Sequence, residues 1–206
     1  MLGMTRNAAL GINWVSKRIP YPGDSEPRED GEQNHGFMNL KQDSELLERV
    51  PELQDHPALK RLVEVLNRPD SGTFSIGCLA DLITEEGGQG FGYTGYVEFA
   101  FDSIRLASDA SNYFQAFFDF DKFMFLNKCK SPVFFHWEIQ PGGFLSEEGE
   151  VIVTGCSVSV VLEVRRQESA EAALSAYDEG LEALMTYCVG RATVFDDPIY
   201  GNQRAV

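Results

Sequence analysis

Carboxylates and one histidine recur at alternate positions of predicted strands, where they could transfer protons or bind a cation. Successive side chains of a strand point to opposite faces, so residues two or four apart share a face. In residues 96–104 and 133–140 this alternation separates an apolar side from a charged side. Together with one residue of a later strand, the charged side holds Glu98, Asp102, His136, Glu138 and Glu163. If these strands are neighbours in one sheet, the five side chains lie together on the face that helices leave open.

This polar face has three interpretations. A histidine beside carboxylates can act as a general acid or base, or help to bind a divalent cation. His136 and Glu138 are the catalytic candidates on that interpretation. A group of carboxylates can instead bind a basic protein, with all five residues as binding residues. The third interpretation is plain solvation of an exposed sheet face, which requires no function.

The other chemical motifs fail on their context. Residues 90–95 match G-x-G-x-x-G, but the string leads into a strand rather than a helix, so it does not predict a dinucleotide site. The remaining motifs of protein kinases are absent from the sequence. We predict a glycine-rich loop over residues 85–95.

His136 and Cys156 are the one nucleophile pairing, and strand alternation places them on opposite faces. The three histidines lack ligand spacing, so neither a metal site nor a cofactor is predicted.

The charge of the chain favours basic partners. Its 206 residues include 17 Lys and Arg against 32 Asp and Glu, which gives a formal net charge of −15. Such a charge repels nucleic acid and anionic lipid. No apolar run reaches the ~20 residues of a membrane helix, and the first residues do not match a signal peptide. Four cysteines without a C-x-x-C pair predict reduced thiols and a cytoplasmic location.

Hydrophobic periodicity indicates the elements that position these residues. Apolar residues at helical spacing predict helices at 44–50, 57–67, 108–127 and 169–190. Period-two patterns predict strands at 73–83, 96–104, 133–140 and 151–165, with a hairpin loop at 141–150. From residue 73 the order is therefore strand, strand, helix, strand, strand, helix.

This order predicts an α+β fold with an antiparallel sheet built from two hairpin-helix units (ββαββα). Helices would cover one face of the sheet, with a helical addition at the N-terminal side. We divide the chain into an N-terminal arm and acidic linker (1–40), a single α+β domain (41–190) and a C-terminal tail (191–206). Within the arm, residues 8–19 fit a strand packed on its own domain, or else a segment that docks on another subunit.

The predicted helix around residues 113–125 carries phenylalanines around much of its circumference. A helix that is apolar all round is buried on more than one side. We interpret it as a central core helix, with an oligomer interface or an apolar ligand pocket as the alternatives. The stretch after Phe118 also fits a short strand.

The sequence favours a non-enzymatic acidic binding domain of an inhibitor, immunity-type or chaperone-like kind. Its partner would be a basic protein, captured by the charged sheet face. A small enzyme or ligand-binding protein that uses the polar face around His136 is the alternative. A third hypothesis is a subunit of a larger assembly, or a homo-oligomer, held together through the aromatic helix 113–125.

Overall fold

A six-stranded sheet forms the centre of the protein. The computed structural model describes residues 8–26, 33–84, 90–146, 148–191 and 193–200. The strands are β1 (Ala8–Ile12), β2 (Lys17–Ile19), β3 (Thr73–Thr84), β4 (Phe91–Phe101), β5 (Phe134–Leu145) and β6 (Val151–Gln167). Their order is β1-β5-β6-β4-β3, and β2 pairs with β5 along the same edge as β1.

Helices connect and cover these strands. They are α1 (Pro57–Asn67), α2 (Ile104–Ala107), α3 (Ser111–Leu126) and α4 (Ala170–Val189). The predicted first helix (44–50) is a 3₁₀ helix, Ser44–Arg49, and a second 3₁₀ segment, Pro51–Leu53, follows it. Local signals fit α1 and α4: proline occupies the start of α1, and the Ser169 hydroxyl caps α4 by accepting the Ala172 N–H at 3.1 Å. No helix in the described ranges is both long and apolar enough to cross a bilayer.

The fold is mixed α and β, as predicted, but the sheet is not purely antiparallel. The pairs β3–β4, β4–β6 and β5–β6 are antiparallel, whereas β1 and β2 both run parallel to β5. The prediction of an antiparallel sheet was therefore wrong at this edge. A parallel pair requires a long connection between its strands, and here most of the chain separates them. No local sequence pattern can reveal such a pairing.

One face of the sheet is covered by α1, α3 and α4, and we call it the helix-covered face. Its side chains come from alternate positions of three central strands: Val97, Phe99, Phe135, Trp137, Ile139, Val158, Val160, Leu162 and Val164. α4 packs on β6 and β4, and α1 packs on β3 and α4. Each of these fully buried apolar side chains stabilises the fold by about 1.5–3 kcal/mol. This layer is the main core.

The opposite face is open only in part. At one end of the sheet a second core contains Ile19, Phe74, Ile76, Ala100, Ala107, Phe144, Val153, Ile199 and Tyr200. The hydroxyl of Tyr200, with its single proton, lies between the carbonyl oxygens of Ile19 and Leu145, at 2.7 and 2.9 Å. The C-terminal segment 197–200 thus covers this end of the sheet. The remainder of the opposite face, which we call the polar face, carries the charged residues.

The aromatic segment is a helix throughout, because α3 runs to Leu126. Its Phe120 packs edge-on against Phe135 with ring centroids 5.0 Å apart, so one side of α3 belongs to the main core. Phe118, Phe125 and Leu126 are 60–70% exposed on its other side. The helix is therefore half core and half surface.

The glycine-rich string 90–95 is not a loop. β4 begins at Phe91, so Gly92 and Gly95 lie inside a strand. A Cβ atom on Gly95 would collide with the Leu79 carbonyl and the Tyr177 hydroxyl. Close packing of a neighbouring strand and of α4 explains the glycine there. Residues 85–89, the other part of the predicted loop, lie outside the described residues.

Two buried tyrosines provide a test of the hydrogen bonds of the core. The Tyr113 hydroxyl donates to the Cys156 carbonyl and accepts the Phe101 N–H at 3.3 Å, whereas the Tyr177 hydroxyl has no hydrogen-bond partner among the described residues. We expect Tyr113→Phe to lower the free energy of unfolding by about 1–3 kcal/mol, because it removes the hydrogen-bond partner of two partly buried backbone groups. Tyr177→Phe should leave it unchanged or raise it. Urea denaturation measures both, and equal losses would contradict this assignment.

Candidate functional site

Glu98 lies on the polar face but is only 6% exposed. It sits opposite Ser159 of β6, which in turn sits opposite Glu138 of β5. The Ser157 hydroxyl donates to its carboxylate at 2.6 Å, and the Lys17 ammonium forms an ion pair with the same oxygen. These contacts tie β2, β4 and β6 together. Glu98 is therefore occupied inside the protein rather than presented to solvent, contrary to its predicted open position.

Asp102 follows the end of β4 and is 5% exposed. One carboxylate oxygen accepts the N–H groups of Ile199 and Tyr200 at 2.9 and 3.0 Å. Its negative charge also acts on Lys41, where burial lowers the pKa of the ammonium group and Asp102 opposes that change. Its position on an open face was predicted wrongly, because the C-terminal segment lies over it.

Asp197 anchors the same segment from its other end. The Ser103 hydroxyl and the Arg105 N–H donate to its carboxylate at 2.7 and 2.8 Å. Desolvation acts to raise the pKa of Asp197, but these hydrogen bonds outweigh it and hold the pKa below the ordinary 3.8. The contribution to stability is thus present above pH 3.8 and is lost as the pH falls through the lowered pKa.

His136, Glu138 and Glu163 lie on the polar face and are partly exposed, as the alternation predicted. The His136 ring lies over Gly11 of β1. Glu163 forms an ion pair with Arg165 of its own strand. In the described part of the chain no carboxylate forms a hydrogen bond with His136, so it lacks the orienting partner of a general base.

Cysteine and metal chemistry gain no support from the geometry. Cys156 packs against the main core, on the opposite face from His136. Burial, and then the charge of Asp109, raise the pKa of the Cys156 thiol, which keeps it protonated and unreactive. Across the described ranges, no group of three or more His, Cys, Asp or Glu side chains could hold a metal ion.

A different acidic site lies beside the edge strand β3, and we call it the acidic depression. It has a volume of about 310 Å³ and is lined by Gln33, His35, Pro51, Glu52, Asp55, His56, Leu79, Ala80 and Asp81. Within the ranges that the structure describes, no ion pair joins Glu52, Asp55 or Asp81 to a lysine or arginine. Its carboxylates are therefore available to a partner.

The electrostatic field at this site is negative. The Tyr93 hydroxyl lies 3.3 Å from Nδ1 of His56. Burial raises the pKa of Tyr93, and the charges of Asp81, Asp178 and Asp55 raise it further. Three carboxylates from a loop, a strand and a helix thus act on one phenol. The same carboxylate charges would attract and stabilise a cation in the depression.

The edge of β3 beside the depression is only partly capped. The side-chain carbonyl of Asn67 accepts the Ser75 N–H at 3.1 Å, and the Tyr21 hydroxyl donates to the Ile76 carbonyl at 3.0 Å. Within the described residues, no hydrogen bond from outside the β3–β4 pair reaches residues 79–84. Since β3 is the last strand of the sheet order, this half of its edge can accept another strand.

Sequence reasoning missed the acidic depression. The string PELQDHP of residues 51–57 places two acids and a histidine close together, and Asp81 falls on the polar side of β3. Either signal is ordinary by itself. Only the packing of the 3₁₀ segment Pro51–Leu53 against β3 brings them together.

Comparison of the chain with protein-family models, with curated proteins and with solved structures finds no match.

The buried carboxylate of Asp102 provides a test of how the C-terminal segment is held. We expect Asp102→Ala to lower the free energy of unfolding by about 1.5–3 kcal/mol, because two buried amides lose a charged acceptor. Hydrogen exchange at Ile199 and Tyr200 should accelerate before global unfolding. Asp196→Ala, which changes an exposed acid directly before this segment, is the control and should change neither measurement. Unchanged exchange in the Asp102 variant would refute the anchoring role.

Proposed function

We propose that this protein is a non-enzymatic acidic binding domain that captures a basic segment of another protein. The observation that supports the proposal is the acidic depression, where Glu52, Asp55 and Asp81 converge beside the uncapped half of β3. Inhibitor, immunity-type and chaperone-like proteins can all use this chemistry. The site differs from the polar sheet face that the sequence favoured, because Glu98 and Asp102 of that face have internal partners.

Strand addition is the binding mode that fits this edge. An extended peptide can pair with an exposed strand through backbone hydrogen bonds and place alternate side chains on alternate sides. A segment paired with residues 79–84 would direct every second side chain toward the depression. Lysine or arginine at those positions would form charge-assisted hydrogen bonds with Asp55 and Asp81.

Long-range charge supports the same partner. A net charge of −15 attracts a basic protein before contact and speeds its encounter. The carboxylates of the depression are accessible to solvent ions, so salt at physiological ionic strength should screen their attraction for charges beyond about 8 Å. Affinity for a basic segment should therefore fall as salt rises.

A synthetic peptide of alternating lysine and threonine tests the proposal by fluorescence anisotropy. We expect binding at low ionic strength that weakens steeply with added salt. The double variant Asp55→Asn/Asp81→Asn should weaken it about twofold to thirtyfold, because the two lost ion pairs contribute roughly 0.2–1 kcal/mol each. An affinity that ignores salt would exclude capture by charge.

Two controls are needed. The first distinguishes binding at the depression from attraction by the net charge of the chain, and the second distinguishes strand pairing from attraction by charge without pairing. Asp121→Asn/Glu150→Gln removes the same charge from α3 and the β5–β6 connection, and it should change affinity less than the depression variant. A peptide N-methylated at alternate residues keeps its charge but cannot pair along β3, so it should bind weakly. Equal effects of the two double variants would rule out the depression as the binding site.

A further inference from the structure

The strand β1 forms the other edge of the sheet, away from the acidic depression. It pairs with β5, and within the described residues no second strand pairs with its outer side. Natural proteins often protect an edge strand from other chains with charged side chains or with proline. Residues 8–16, which comprise β1 and the connection that follows it, contain neither. This edge is therefore open to pairing with another strand.

Apolar side chains are exposed along this edge. Ile12, the last residue of β1, is 44% exposed, and Trp14 and Val15 after it are 82% and 68% exposed. Ile12 lies beside Ile139 of β5, whose side chain belongs to the main core. Since neighbouring residues of paired strands share a face, Ile12 is on the helix-covered face of the sheet.

The side of α3 that points toward β1 is also apolar. α4 contacts the other side of α3, where the Phe123 and Tyr187 rings pack with centroids 5.8 Å apart. Phe118 and Phe125 lie about 140–160° around the helix axis from Phe123, and they are 60% and 65% exposed. Because α4 covers β6 and β4 while α3 packs on β5, the side of α3 away from α4 faces β1.

Ile12, Trp14, Val15, Phe118 and Phe125 thus form one apolar surface, which we call the β1-edge surface. From their exposed fractions, its three aromatic side chains offer roughly 300–500 Å² to a partner. Each partner in a standard protein–protein interface buries about 800 Å². The rings supply about half of this area, and the aliphatic side chains and the strand edge add to it. The surface is therefore large enough for a stable interface.

The charge near this surface permits contact between two copies of the chain. Residues 8–16 are uncharged, and Lys17 and Arg18 follow them. Residues 111–133, which include α3, carry three lysines against two aspartates. This side of the molecule is therefore neutral to slightly basic, although the chain has a net charge of −15. Two copies that meet here keep most of their like charges outside the contact.

We propose that the β1-edge surface is the interface of a symmetric homodimer. A two-fold axis perpendicular to the sheet places the two β1 strands side by side in antiparallel orientation, which continues the sheet through both copies. The same axis keeps both helix layers on one side of that sheet, so the exposed sides of the two α3 helices face each other. One symmetry operation thus covers the open strand edge and the apolar side of α3 together.

This inference does not rest on the proposed function. The acidic depression lies beside β3, at the opposite edge of the sheet, so each copy in the dimer keeps its own depression accessible. Asp55→Asn/Asp81→Asn should therefore leave the dimer intact.

Sedimentation equilibrium of the full chain tests the proposal. We expect twice the 23.0 kDa mass of one chain. Tryptophan fluorescence locates the contact, because the protein has two tryptophans and Trp137 is 0% exposed, so acrylamide quenching reports on Trp14. We expect Trp14 in the dimer to be quenched much less than the free compound N-acetyltryptophanamide.

Two double variants test whether the contact lies on this surface. Ile12→Lys/Phe118→Lys brings four new like charges into one symmetric interface, so it should raise the dissociation constant at least about tenfold. Val189→Lys/Val194→Lys is the matched control, because it adds the same charge at residues that are 46% and 60% exposed. These residues lie at the end of α4 and in the C-terminal segment, so the control should leave the dissociation constant unchanged.

Several outcomes would overturn the proposal. A mass of one chain at every soluble concentration would exclude the dimer, and equal effects of the two lysine variants would exclude this surface. A dimer with Trp14 as strongly quenched as N-acetyltryptophanamide would place the contact elsewhere. Masses beyond two chains, or dissociation by Asp55→Asn/Asp81→Asn, would indicate head-to-tail contact with the acidic depression. Should Ile12→Lys/Phe118→Lys fail to fold, the mass and the Trp14 quenching of the unchanged protein still decide the question.

Discussion

The backbone pairing of β6 with β5 and β4 is the interaction on which the rest of the structure depends. It places Trp137, Val160 and Val97 in one row and Glu138, Ser159 and Glu98 in the next. A slip of one residue would send every one of these side chains to the opposite face. The core beneath the helices and the buried carboxylate of Glu98 on the polar face both follow from this register.

Acidic residues have two physical roles in this protein. Glu98 and Asp102 are buried, and each is satisfied by hydrogen bonds that hold a distant segment in place. Such burial is tolerable because the charge is paired or bonded. Asp55 and Asp81 are exposed and face a depression without a basic neighbour among the described residues. The same residue type thus serves as an internal anchor at one place and as a candidate contact at another.

Prediction from the sequence succeeded where burial is periodic and local. The stripe of α1, the cap at Ser169 and the long alternation of β6 identify their elements without further information. It failed in strands that contain glycine. β4 starts at Phe91 and β5 continues to Leu145, both through stretches that contain glycines and were predicted as loops. Gly155 of β6 lets the Ala107 carbonyl approach the strand closely, where a side chain would collide.

The sequence by itself determined the period of each main element, the acidic charge of the chain and the face on which His136, Glu138 and Glu163 lie. These properties depend on neighbouring residues or on composition alone. The tertiary structure decided that β1 and β2 join β5 in parallel, that residues 197–200 cover Asp102, and that Asp55 and Asp81 line one depression. Each of these is a contact between segments far apart in the chain, and its free energy comes from burial and pairing that exist only once the chain has folded.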